Sequence, residues 1–334
     1  MRDGSRAAGP LAAFVLGNVP GLKGTARRWV EAMDALDDEP YFKGVSHLWR
    51  ALKALGTSEL GVALTAAVEA MDRLQTDPRA SWERVQAASY AARALINRGH
   101  YHSALALIEA HAIDADLRGD LGAKIALDTY RPMASLAAGR VAETRANCQW
   151  LLDTWLPDRY APHTFYALRG LVIADLMDGD AASAAARIAS SRKAFTKAGG
   201  YRFPFSRFDH DLLEARVVMA LDRAAPGTWP LERLLSRLEA LPNDEARGHA
   251  KLLRATLCLE QGKYDEARAL LARASAHLER CEVDLEGEAA RWLWARLERS
   301  DEAAASARMK MQRLGVADPE RWMEIIVPGA LAAT

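Results

Sequence analysis

Long apolar runs, a surplus of either charge and paired cysteines are all missing from this chain of 334 residues. Each absence removes a class of function. Lysine plus arginine equals aspartate plus glutamate at 44 each. A protein that neutralises duplex phosphates needs a basic excess, so nucleic acid is not expected as a main ligand. No stretch approaches the roughly 20 apolar residues of a membrane span. Cys148, Cys258 and Cys281 are odd in number and share no CxxC spacing. They suit neither a disulfide framework nor a zinc knuckle, and a reducing cytoplasm is the expected compartment. Arg2 and Arg6 precede the short apolar run 11–16, but Pro10 opens it and no A-x-A site follows, so no secretory leader is expected. No G-x-x-x-x-G-K-[ST] loop, kinase catalytic loop or G-x-S-x-G elbow occurs, and no cofactor is expected.

What is present is regularity. Helix-turn-helix joints recur at Leu55-Gly56-Thr57, Arg98-Gly99-His100-Tyr101, Ala138-Gly139-Arg140, Asp178-Gly179-Asp180, Leu221-Asp222-Arg223, Gln261-Gly262-Lys263-Tyr264 and Arg299-Ser300-Asp301, at intervals of 43, 40, 40, 43, 40 and 38 residues. A constant period of this size marks stacked helical hairpins. Period-2 β-branched runs are absent, and Ala, Leu, Arg and Glu favour helix. Helices are expected near 25–36, 41–55, 59–74, 80–98, 102–114, 121–138, 140–155, 162–178, 181–198, 206–221, 229–240, 244–261, 264–280, 285–299, 301–314 and 319–326. Pro78 and Pro162 suit first turns, where a missing N–H costs nothing. Gly199-Gly200 suits a C-cap followed by a loop. Pro132 should bend or split the helix around it, and the breaker cluster 225–230 should interrupt the array.

Residues 251–274 form the clearest unit. Ala255 and Ala267 are the small residues of a helix crossing, Gly262 makes the turn with Tyr264 packed under it, Leu271 fills the larger position and Ala274 closes the hairpin. Ala92, Gly99, Tyr101, Ala104 and Ile108 repeat the pattern, and Gly179, Ala184 and Ile188 repeat part of it. The unit resembles a tetratricopeptide repeat. Asp222 and Ser300 stand where other units have the turn glycine, and the spacing exceeds the 34 residues of the standard repeat. The resemblance implies an all-α, right-handed α-solenoid of about seven tetratricopeptide-like hairpins: residues 1–36 as a cap, 41–314 as repeats, and 315–334 as a capping helix and tail, all in one domain.

Residues 314–329, Leu-Gly-Val-Ala-Asp-Pro-Glu-Arg-Trp-Met-Glu-Ile-Ile-Val-Pro-Gly, resemble the closing motif of helical-repeat regions in large bacterial signalling proteins that carry Ser/Thr kinase or STAND-type ATPase modules. Asp318 should cap a short helix with Pro319 at its first position, and Trp322 should plug the open end of the last hairpin. The resemblance implies a non-catalytic sensor or scaffold that binds a protein or peptide, either as a stand-alone relative or as an excised sensor portion.

In such arrays the first helices line a concave groove. The position after the small crossing residue is Arg50, Arg93 and Arg216 in three units, with Lys43 and Arg169 on neighbouring groove positions. A row of guanidiniums suits carboxylates, so the guest would carry an acidic segment or a chain terminus. Equally, these arginines could pair with Asp and Glu of adjacent helices. Two aromatic groups, Trp150, Trp155, Tyr160, Phe165 and Tyr166, and Tyr201, Phe203, Phe205 and Phe208, suit either interface anchors or core filling. Alternative functions are a small-ligand or peptide receptor, a homodimer scaffold, and an enzyme. For the last, Phe208-Asp209-His210-Asp211 with Glu214 resembles the His-Asp pair of all-helical HD-type metal phosphohydrolases, with His163 and Asp175 as possible contributors. The expectation is no catalytic and no metal residue.

Overall fold

The structure, a computed structural model, describes residues 40–154, 160–202, 204–222 and 231–333. Among these are seventeen α-helices and no strand. They are α1 Pro40–Thr57, α2 Leu60–Leu74, α3 Ser81–Arg98, α4 Tyr101–Leu117, α5 Leu121–Asp128, α6 Arg131–Ala137, α7 Val141–Thr154, α8 Pro162–Met177, α9 Ala181–Lys197, α10 Pro204–Asp222, α11 Leu231–Glu239, α12 Asp244–Glu260, α13 Tyr264–Arg280, α14 Asp284–Leu297, α15 Asp301–Arg313, α16 Pro319–Ile326 and α17 Ala330–Ala333. Pro78–Ala80 and Gly200–Arg202 are 3-10 turns. No helix among the described residues is long and apolar enough to cross a membrane. The expected helix 25–36, the cap 1–36 and the breaker cluster 225–230 lie outside the described residues, as do Trp155 and Phe203.

One local device ends helix after helix. Gly99, Gly139, Gly179 and Gly262 take left-handed φ values of 71° to 83°. At each, the next residue's N–H reaches back five residues, as in His100 N–H to Leu95 O at 2.8 Å and Lys263 N–H to Cys258 O at 2.9 Å. This Schellman pattern satisfies carbonyls that a helix end otherwise leaves orphaned. Side-chain residues take the same turn elsewhere. At the first joint the left-handed residue is Ser58, at φ 61°, because α1 runs on through Gly56 to Thr57. At the last joint it is Arg299, at φ 54°, which leaves Ser300 free to cap α15 by accepting from Ala303 N–H. Pro132 splits the expected helix 121–138 into α5 and α6 and sits in the first turn of α6.

Successive helices pack on one another along the chain. The small crossing residues are fully buried: Ala92, Ala104, Ala184, Ala255, Ala267 and Ala274. Gly170 lets α8 approach two earlier helices, since a Cβ there would lie 2.7 Å from Cys148 Sγ and 2.7 Å from Pro132 Cβ. Tyr101 is buried as expected, but Tyr264 is half exposed and does not pack under its turn.

Helices distant in the chain also meet. Gly99 faces Leu285, His102 N–H donates to Leu314 O, and Ala317 N–H donates to Ala137 O at 2.8 Å. Helix α16 packs on α8 and α14, and α17 on α12. Asp318 caps α16 as expected, accepting from Arg321 N–H. Trp322 is buried, but it meets Tyr101 of α4 edge-on at 5.5 Å between ring centres, so it bridges to a hairpin far earlier in the chain. The largest apolar core accordingly runs from Ala54 to Ala330 without a break in contact.

Candidate functional site

Beneath α16 lies a charged interior. The first helices of five hairpins each turn a polar residue into it: Asn97 from α3, Arg169 from α8, Asp209 and Arg216 from α10, Glu245 and His249 from α12, and Glu286 from α14. On α10, Asp209, Leu212, Leu213 and Arg216 fall at i, i+3, i+4 and i+7, so one helix face carries both charges inward. Trp322, Ile325 and Ile326 of α16 close the other side. The cavity between them is about 30 Å³, room for about two waters.

Two of the five expected groove cations, Arg169 and Arg216, line this cavity, and Arg93 reaches its Asp209 from outside the lining; all three are already partnered. Arg93 Nη2 lies 3.6 Å from Asp209 Oδ2, and Arg169 Nη1 lies 3.5 Å from Asp209 Oδ1. The Tyr166 hydroxyl donates to the same carboxylate at 3.2 Å. Arg93 also lies over the Phe205 ring, 4.9 Å from its centre. Arg216 Nη2 donates to Glu286 Oε1 at 3.2 Å, while its Nε is buried with no hydrogen-bond partner among the described residues. Lys43 and Arg50 on α1 lie outside the cavity lining. Lys43 is half-buried, and Arg50 is exposed in an open cleft of about 450 Å³ with Gly61, Glu69, Arg98 and Glu282.

Burial sets the electrostatics. Desolvation pushes the Glu245 carboxyl from 4.5 up to about 7, with Asp209 and Glu286 adding to the rise, although the Ser58 hydroxyl donates to it at 2.5 Å. Burial, then the positive fields of Arg216 and Arg169, holds His249 well below the usual histidine range. Burial lowers Arg216 too, against the pull of Glu286. For Arg93 burial also opposes the charge, but Tyr166, Tyr130, Asp209 and Glu245 together raise it. A charge in this interior is tolerated only where a partner faces it.

Sequence reasoning missed Glu245, His249 and Glu286. Asp244-Glu245 reads as ordinary first-turn acids at a helix start. Only the inward register of α12 separates Glu245 from Asp244, whose carboxyl Arg280 and His277 hold down at about 2.

The other face of α10 carries the His-Asp pair. His210, Asp211 and Glu214 bring one ligand atom each within 4.8 Å of one another. Asp211 Oδ1 accepts from Arg237 at 2.6 Å, Arg207 lies 3.7 Å from its other oxygen, and Arg192 donates to Glu214. Three guanidiniums on two carboxylates oppose a cation there. Asp209 is held instead by Arg93, Arg169 and Tyr166, and Asp175 is tied to Arg145 and Arg187. His163 is not part of the cluster. His210 stacks on Phe195, 4.6 Å between ring centres, inside one aromatic core that merges Phe165, Tyr166 and Tyr201. Cys148 and Cys281 are buried thiols that desolvation pushes up to about 12, far from a reactive thiolate.

A scan against protein-family models gives no match for this chain, and a search of curated proteins finds no significant relative.

Proposed function

We propose that the chain is a right-handed, tetratricopeptide-like α-solenoid that acts as a non-catalytic protein- or peptide-binding module of a bacterial signalling system, in the cytoplasm. One observation carries the reading: hairpins closed by the same turn device each present their first helix to a common interior. Arrays of this kind leave a curved inner surface for guests. The guest is a polypeptide with an acidic element directed at the exposed Arg50, since Arg93, Arg169 and Arg216 are already paired with Asp209 and Glu286. Arg93 and Arg216 hold buried ion pairs, so reversing their charge would report on folding as much as on capture.

Arg50 offers the cleaner test, since it is exposed on a first helix and lines an open cleft. A photo-crosslinking side chain at position 50, and another at the exposed Leu117 as control, should be activated in the source cells. The reading expects a protein adduct from position 50 and none from position 117. Adducts with a second copy of the chain would support the homodimer scaffold instead, and adducts with neither would refute binding at this face.

A further inference from the structure

The open cleft beside Arg50 has a tethered acid in its lining, contributed by a joint far along the chain. We propose that this acid, Glu282, is a built-in competitor for the guest: its carboxylate holds the place on Arg98 that one acid of a two-acid guest segment takes, while Arg50 holds the other. The inference rests on the binding-module reading and adds to it how the cleft is regulated.

The charges of the lining single out Arg50. Glu69 lies 2.8 Å from His47 Nδ1, and Arg98 Nη2 lies 2.9 Å from Glu282 Oε2. Arg50 is exposed and has no ion pair among the described residues. Val62, Leu64 and Thr65 of α2 supply a wall without charge. One unpaired guanidinium beside such a wall suits a polypeptide that carries carboxylates.

Glu282 is placed at a conformational cost and used across the fold. It follows α13 at φ 55°, in the left-handed position that Gly99, Gly139, Gly179 and Gly262 fill at other joints. A side chain is penalised there and glycine is not. The carboxylate reaches back to α2 and lies against Gly61, where any Cβ would collide with it. It is half exposed, and an ion pair so open to water is weak. Its departure would not strand Arg98, because Asp284 lies 3.5 Å from the same nitrogen. Asp284 is itself held by His100 at 2.6 Å. A strained backbone, a weak bond at the tip and a second partner for Arg98 make this acid easy to displace.

The test uses the full chain and a fluorescein-labelled hexaglutamate peptide, followed by anisotropy at low salt. Glu282→Gly should keep its helical circular dichroism and bind the peptide about tenfold tighter than the parent. Glu282→Gln, which leaves the turn as it is, should act in the same direction. Glu69→Gln removes a charge from the same lining, so it separates displacement from general repulsion and should change binding little. Equal affinities for the parent and both Glu282 variants, or an equal gain from Glu69→Gln, would overturn the competitor. Adding Arg50→Ala to Glu282→Gly should cancel the gain. So should adding Gly61→Ala, whose methyl fills the seat that the carboxylate leaves. A gain that survives either addition would place the peptide's acids elsewhere, and no binding to any variant would also sink the inference. A protein crosslinked at position 50 in cells, with no response to Glu282, would leave the binding-module reading standing and remove only the competitor.

Discussion

Glu245 gives the most demanding test of the buried interior. Its carboxyl rises from 4.5 in the unfolded chain to about 7 in the fold, first through burial and then through Asp209 and Glu286, while Ser58 and Arg93 oppose the rise. The folded state therefore favours the neutral acid. Its contribution is fully present below about pH 4.5 and is lost as pH rises through 7. At about 1.4 kcal/mol per pH unit, the loss between those limits is about 3 kcal/mol. Glu245→Gln keeps an acceptor for the Ser58 hydroxyl and abolishes the titration. Urea unfolding of both proteins, followed by tryptophan fluorescence at pH 4.5 and pH 8, isolates the effect, because the other ionisable groups are common to both. The variant's stability relative to the parent should rise by about 3 kcal/mol from the lower pH to the higher. A difference that does not change with pH, or that changes in the opposite direction, would show that Glu245 is not buried beside those carboxylates.

Other expectations follow from local geometry. Arg299 is exposed at φ 54° in a turn that glycine fills elsewhere, so Arg299→Gly should raise stability by about 1 kcal/mol in a denaturant midpoint. Gly170→Ala places a methyl 2.7 Å from Cys148 Sγ and Pro132 Cβ, and should destabilise by about 1–3 kcal/mol, with the largest gain in amide exchange in α6, α7 and α8. Cys148 and Cys281 should resist iodoacetamide at pH 8 and react once urea unfolds the chain; rapid labelling of the folded protein would contradict their burial. Manganese or zinc should leave the melting temperature unchanged, because three arginines hold Asp211 and Glu214, and a metal-dependent rise would revive the hydrolase reading.

The sequence by itself determined the helices, the period of the turns and the small residues at the crossings. These depend on neighbours a few positions apart: a left-handed glycine after a helix, an alanine facing the next helix, a proline in a first turn. Even its errors were local. Gly56 attracted a turn that belongs to Ser58, and Ser300 was read as a turn residue when it caps the next helix. The position after the small crossing residue gave Arg93 and Arg216, which are buried, and Arg50, which is exposed. Only the tertiary structure decided who faces them. Arg216 meets Glu286, Ser58 meets Glu245, and Arg321 reaches Met177, at separations of 70, 187 and 144 residues. A charge on an amphipathic helix does not declare whether water or a distant carboxylate will oppose it. That depends on which distant helices pack together, and their relative placement sums small offsets at every crossing, none of which is visible in a local pattern.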